Sequence, residues 1–353
     1  MLEKYDYVVP LDLVATEPAS PRDFSRLFVY DTKTGKIDFD IFRNLEKYLP
    51  EKSFFVFNDT KVVPARVDLK DLKGDEREFL ILINEYLQGT RIVKALTYGE
   101  IENGTTFSFP DGSVLISRGR EGEKVSLEML FPVEKIHFLL DKYGKTPLPP
   151  YILKRMQEPD EQKIRQEYQS VFAKNPSSVA APTASLHFTE NVLNSCEEKG
   201  IKKEYVTLHV GMGTFAKVTE NNFVSKTLHR EKYEVRAESA QNMMRYKGEG
   251  RKCIAVGTTA MRVLETLARE QPVSKWGLRD LRGDTDIFIY PPYRFLMTDI
   301  LITNFHVPRS SLIMLVDAFL QHKKAKHSVM ELYKKAIDEK FRLFSFGDAM
   351  LIL

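Results

Sequence analysis

Polar side chains able to bind an anion or move a proton gather in four short segments of this 353-residue chain, three of them directly after an apolar run. In CIAVGTTAMRVLETL, Gly257 supplies a turn, Thr258 or Thr259 can cap the following helix, and Arg262 lies one turn inside it. Backbone amides at a helix start, threonine hydroxyls and a guanidinium suit a carboxylate or phosphate. In YVTLHVGMGTF, Gly211 and Gly213 let backbone approach a ligand closely and Thr214 adds a hydroxyl, though the string is neither a dinucleotide fingerprint nor a phosphate loop. In DILITNFHVPRSSLIMLVDAF, a strand ends in Thr303, Asn304 and His306 before Pro308 and Ser310 or Ser311 start a buried helix. Such a group can bind a purine edge or act on a proton. SSVAAPTASLHFT is dense in small residues around one large polar side chain, His187, and permits close ligand approach and tight packing alike.

Each segment also has a plain structural reading, as a capped turn, a packed helix start or a satisfied histidine. His187, His209 and His306 lie on different loops, and a zinc site would need three such ligands. No HxxxH pair or adjacent carboxylate accompanies them, so no metal is expected.

The polar groups need a scaffold that brings strand ends together. From residue 188 the pattern alternates: helix 189–199, strand 204–210, helix 237–246, strand 252–256, helix 259–269, strands 286–290 and 298–303, helices 310–322 and 329–340, and a last strand 348–352. Residues 54–57 add a short buried strand that runs into NDTKVVPAR. This is an α/β main domain, a mixed sheet with flanking helices, and ligands of open α/β sheets collect at the carboxyl ends of the strands.

Between residues 67 and 146 the character changes to short β-rich runs such as FLILINEYL, RIVKAL and SVLISRG, separated by Gly, Asn and Asp. We read them as a small β-barrel domain, 67–146, inserted into a discontinuous α/β domain of residues 1–66 and 147–353. VEKIHFLLDKYG reads as a helix ended by Gly144, TPLPPYI as a rigid crossing back, and the charged stretch 154–167 as a surface loop.

Bulk properties bound the rest. With 43% hydrophobic residues the chain can bury a sizeable core, and its length suggests two domains. The 52 basic and 49 acidic residues leave a net charge of +3, so any nucleic-acid footprint has to come from local clustering. Cys196 and Cys253 form no CxxC pair, which argues against a disulfide framework. MLEKYDYVVP has no apolar signal core and apolar runs such as LIMLV are too short to span a bilayer, so a cytoplasmic monomer with no membrane partner is expected.

Eight blocks, in order, carry a resemblance: FNDTKVVPARV, PLPPYI, EYQSVFA, SVAAPTASLHFT, VTLHVGMGTF, AVGTTAMRVLE, DIFIYPPYRFLMTDILITNFHVPRSSLIMLVDAF and FRLFSFGDAMLI. They resemble the S-adenosylmethionine:tRNA ribosyltransferase-isomerase family of queuosine synthesis over essentially the whole chain. The resemblance is weakest from about 67 to 146. The chain departs from the family pattern at Ser185 and Pro292, where glycine is usual, at Met212, where a small residue is usual, and at Arg230, where serine is usual.

The resemblance implies an α/β fold carrying a β-barrel. It also implies an enzyme that moves the ribosyl group of its cosubstrate S-adenosylmethionine onto a tRNA bearing 7-aminomethyl-7-deazaguanine at the wobble position, giving epoxyqueuosine-tRNA, adenine and methionine. The sulfonium acidifies the adjacent ribose carbon, so the reaction needs at least one base and one acid. Within the matching blocks, His306, His187, His209 and Glu231 suit proton transfer, and Asp59, Asp299 and Asp348 could hold an imidazole or an amine. Gly257, Thr258, Thr259 and Arg262, with Gly211, Gly213 and Thr214, are the candidates for binding S-adenosylmethionine, and Asn304 for an adenine edge. Lys61, Arg66, Lys154, Arg155 and Arg165 are candidates for tRNA phosphates.

Two other readings remain open. A methyltransferase would use the same cosubstrate, but its usual glycine-rich first loop and second-strand acid have no counterpart here. A non-catalytic RNA-binding protein would be favoured had the strand-end polar residues been lost, and they are retained.

Overall fold

In the computed structural model, which describes residues 2–86, 89–156, 160–211, 218–277 and 279–353, the chain opens with β1 (Arg26–Tyr30), β2 (Ile37–Ile41), β3 (Ser53–Asn58) and the short β4 (Thr60–Val62). Six strands follow: β5 (Arg66–Asp71), β6 (Glu76–Leu82), β7 (Ile92–Leu96), β8 (Thr106–Ser108), β9 (Val114–Glu121) and β10 (Lys124–Met129). They close into an antiparallel barrel, against which helix α1 (Lys135–Tyr143) packs Ile136, Leu139 and Leu140. After it come α2 (Pro150–Leu153), α3 (Glu161–Glu167), β11 (Asn175–Ser178), α4 (Glu190–Glu198), β12 (Lys202–Leu208), α5 (Glu220–Ser225), β13 (Thr227–Val235) and α6 (Ala237–Gly248). The chain ends through β14 (Lys252–Val256), α7 (Gly257–Glu270), β15 (Leu281–Ile287), β16 (Ile300–Asn304), α8 (Ser311–His322), α9 (Val329–Asp338) and β17 (Ala349–Ile352).

Among the described residues, nine strands form one mixed sheet in the order β15-β13-β12-β3-β14-β16-β17-β1-β2. Its centre, β12-β3-β14-β16, is parallel. Side chains alternate across a strand, so the unbroken apolar run of β14 splits between two cores. Cys253 and Ala255 face the cluster that holds α7 and α8, while Ile254 and Val256 join Phe188, Leu193 and Cys196 on the opposite face. Both cysteines are buried thiols, and burial pushes each above its ordinary value.

In the barrel the same period of two points Val67 and Leu69 of β5 inward and leaves Asp68 and Lys70 in water. At its neck Arg66 bridges to Lys145. Gly144 does end α1, but with an extended backbone rather than a left-handed one. Its requirement is closeness: a Cβ there would lie 1.8 Å from the Pro64 carbonyl oxygen, so only glycine lets the two strands of the neck pass.

Three local expectations shift. Residues 161–167, inside the stretch read as a surface loop, form α3, because the Asp160 carboxylate caps the amides of Gln162 and Lys163. The strand expected at 286–290 is β15 instead, a polar edge strand; Phe288 and Ile289 beyond it are buried in the core without strand pairing. Neither Thr258 nor Thr259 caps α7, whose first residue is Gly257 at φ +85° and whose cap position is Val256. Among the described residues no helix is long and apolar enough to cross a membrane.

Candidate active site

The carboxyl ends of β3, β12, β14 and β16 point to one edge because these strands are parallel neighbours. Two antiparallel strands bring further residues there. Leu208, the last residue of β12, pairs with Tyr233, so the part of β13 before Tyr233 runs on past the sheet edge and delivers Glu231 and His229. Asn304, the last of β16, pairs with Ala349, which places residues 344–348 at the same end. Between them lies a cleft lined by Thr258, Thr259, Arg262, His229, Glu231, Thr303, Asn304 and His306, and also by Thr183, Pro149, Tyr151, Tyr168, Phe344 and Ser345. The space between these residues, open solvent at the mouth included, is about 1040 Å³.

Arg262 sits four residues after Thr258 on α7, hence on the same face. It is 8% exposed, and one guanidinium nitrogen, Nη1, donates to Glu231 Oε2. Glu231 Oε1 in turn accepts from the Gly211 amide at 3.0 Å. Arg262 Nε and Nη2, and Thr259 Oγ1, are buried with no hydrogen-bond partner among the described residues. A buried guanidinium with two unused donors is costly unless a ligand completes it, and its planar fork matches a carboxylate. The Arg262–Glu231 pair thus offers donors and acceptors side by side, as the two charged groups of an amino acid require.

His306 lines the same cleft and is half-buried, with Nε2 2.9 Å from Thr303 Oγ1 and its backbone amide donating to Tyr333 Oη at 3.0 Å. Burial pushes its pKa down to about 3, so the ring is neutral at physiological pH, with one of its two nitrogens unprotonated. Asn304 Nδ2 donates to the Phe344 carbonyl at 3.2 Å, and Asn304 Oδ1 accepts from Thr183 Oγ1 at 3.0 Å.

The remaining sequence candidates fall elsewhere. His187, in the turn Thr183–His187, stands behind Asn304 with Nε2 3.2 Å from Asn304 Nδ2 and Nδ1 2.8 Å from Ser25 Oγ. It does not line the cleft. Val210 lines the cleft while the preceding His209 does not; His209 bonds Ser177 instead, and burial lowers its pKa. Gly213 and Thr214 lie outside the described residues, as does Met212. Asp59 accepts from Thr207 and Asn175, Asp299 from Lys247 and Lys252, and Asp348 from Arg342. None of the three carboxylates hydrogen-bonds a histidine among the described residues. No group of three His, Cys, Asp or Glu that could hold a metal ion occurs among the described residues.

Of the cations chosen for tRNA, Lys61 and Lys154 are exposed. Arg66 pairs with Glu78 at 3.2 Å and Arg155 donates to the Leu11 carbonyl at 2.7 Å. Arg165 binds Glu161 and the Gly144 carbonyl, so its guanidinium ties α1 to α3. Sequence reasoning passed over His229, Tyr151, Tyr168, Thr183, Phe344 and Ser345. His229 had a local signal, two residues before Glu231, and Thr183 stood inside the small-residue segment around His187.

A family model described as "Queuosine biosynthesis protein" matches residues 2–352. A Halothermothrix orenii protein named S-adenosylmethionine:tRNA ribosyltransferase-isomerase is 41% identical, the match covering all of this chain and 99% of the relative. A Thermotoga maritima protein of the same name is 39% identical, again over all of this chain and 99% of its own length. The crystal structure of an S-adenosylmethionine tRNA ribosyltransferase from Thermotoga maritima aligns with TM-score 0.55 at 32% identity, over 99% of this chain and all of that one.

Proposed function

Since the chain belongs to this queuosine biosynthesis family of ribosyltransferase-isomerases, we propose that it transfers and isomerises the ribosyl moiety of S-adenosylmethionine onto 7-aminomethyl-7-deazaguanine at the tRNA wobble position, yielding epoxyqueuosine-tRNA, adenine and methionine. The observation that carries this reading is the buried Arg262 guanidinium, whose Nε and Nη2 have no partner among the described residues, in the same cleft as the neutral His306 imidazole.

In this reading Arg262 Nε and Nη2 bind the methionine carboxylate, Thr259 adds a hydroxyl, and Glu231 meets the ammonium group. Gly257 and Gly211 let backbone approach the ligand and Thr258 adds a second hydroxyl; Gly213 and Thr214, which belong to the same proposed set, lie outside the described residues. Asn304 reads a heterocycle edge. Thr303 Oγ1 can take the hydrogen bond of His306 Nε2–H, which leaves the Nδ1 lone pair to remove the proton that the sulfonium acidifies. A desolvated cleft also keeps the tRNA aminomethyl group in its neutral, nucleophilic form. The exposed Lys61 and Lys154 serve phosphates, while the wobble base leaves its stack to reach the cleft. Within the proposed α/β domain, 1–66 and 147–353, Thr259, Arg262, Glu231, Asn304 and His306 line one cleft at the sheet edge, and the barrel at 67–146 is an insertion.

Incubated with S-adenosylmethionine and precursor tRNA alone, the protein should release adenine and methionine in equal amounts, read by chromatography. S-adenosylhomocysteine without adenine would make it a methyltransferase, and no release at all a binding protein. Because the net charge is only +3, tRNA affinity depends on a local cluster of cations. It should fall about tenfold or more between 50 and 200 mM salt, as counterion release requires. A flat titration would instead assign recognition to stacking.

A further inference from the structure

Asn304 faces two partners through its amide nitrogen, and they constrain each other. The Phe344 carbonyl, 3.2 Å away, can only accept, so the atom facing it has to be the NH₂ group. The second N–H then points at His187 Nε2, 3.2 Å away, which can accept only when that nitrogen carries no proton. The ring proton therefore sits on Nδ1 and is donated to Ser25 Oγ at 2.8 Å. Burial, reinforced by the charges of Arg342 and Arg22, lowers the His187 pKa to about 3 and keeps this neutral form. Phe344 holds its carbonyl in place at φ +72°, a left-handed conformation that a bulky residue adopts only where its surroundings enforce it. Asn304 and His187 are both at least nine-tenths buried, so water cannot substitute for either bond.

With both amide hydrogens committed to the wall, Asn304 has only Oδ1 left for the cleft. One lone pair of Oδ1 takes the Thr183 hydroxyl hydrogen at 3.0 Å, and Thr183 keeps only lone pairs for a ligand. Both residues line the cleft. We propose that His187 is a positioning residue: its neutral Nδ1–H tautomer locks Asn304 so that Asn304 Oδ1 and Thr183 Oγ1 form an acceptor-only edge, which selects a heterocycle presenting an exocyclic amino group. The inference rests on the reading of the cleft given above. Two substrate groups share this chemistry, the 6-amino group of adenine and the 2-amino group of the deazaguanine.

Two arms separate them. The first compares binding of S-adenosylmethionine with that of its analogue bearing hydrogen in place of the 6-amino group, without tRNA. The second compares turnover of an anticodon stem-loop whose modified base carries or lacks its 2-amino group. In one arm the wild type should prefer the amino form by about 10- to 100-fold, the cost of leaving a buried acceptor unpaired. His187→Leu, which removes the acceptor that orients Asn304, should collapse that ratio towards one. His187→Gln, whose amide oxygen reaches the place of Nε2, should retain it, and Thr183→Val should reduce it in part even if His187→Leu does not fold. A purely structural His187 would lower the melting temperature and leave the ratio unchanged, which overturns the proposal. So does a wild type indifferent in both arms. A wild type that binds no S-adenosylmethionine at all sinks the underlying reading of the cleft as well.

Discussion

His306→Ala lowers kcat by about 10²- to 10⁴-fold, the range that loss of a general base produces, and leaves S-adenosylmethionine binding nearly unchanged. The ring lines the cleft, is neutral, and has one nitrogen accounted for by Thr303. It therefore combines access with an available lone pair, which His187 lacks for want of access to the cleft and His209 for facing elsewhere. Single-turnover release of adenine measures the effect. The pH profile adds a second check with a defined sign. A base whose pKa is lowered to about 3 is already deprotonated at neutral pH, so activity should not fall as pH drops from 8 to about 5 on its account. An acidic limb near the ordinary imidazole value of about 6.5, or full turnover by the alanine variant, would remove His306 from the role.

Arg262→Ala should lower S-adenosylmethionine affinity by about 10²- to 10⁴-fold, because two charge-assisted hydrogen bonds worth roughly 1.5–3 kcal/mol each are lost. The substitution also strands Glu231, which is 2% exposed and has Arg262 as its charged partner. Breaking a buried pair from one side costs about 3–5 kcal/mol of stability. The double variant Arg262→Ala with Glu231→Gln separates the two effects. It should recover much of the melting temperature, since no buried charge remains, without recovering affinity. Calorimetric titration of both variants reads the binding. Wild-type affinity in a folded variant would take the carboxylate away from Arg262.

Local patterns were legible in proportion to how local their physics is. The turn at Gly257, the helix of Arg262 and a helix start at Ser310 or Ser311 depend on neighbours a few residues away, and each stands where the sequence puts it, with Ser310 as the cap. The threonine cap on α7 did not form because the helix begins one residue before Thr258, leaving both hydroxyls near the cleft instead. Strands β1 and β2 went unread although β1 is buried on both faces, because an isolated run of five residues carries little periodicity.

The α/β alternation, the β-rich segment between residues 67 and 146 and the polar residues closing β14 and β16 were determined by the sequence alone, through periodicity, turn residues and caps. The tertiary structure alone decided which of those polar residues meet. Glu231 reaches Arg262 only because β13 is antiparallel to β12 and runs past its end. His209, just past the end of β12, bonds Ser177 instead of lining the cleft, while the next residue, Val210, lines it. Phe344 and Ser345, more than a hundred residues from Thr183, complete the wall because β17 returns antiparallel beside β16. Strand order and register are set by pairing across long stretches of chain, and no local window of residue types contains that information.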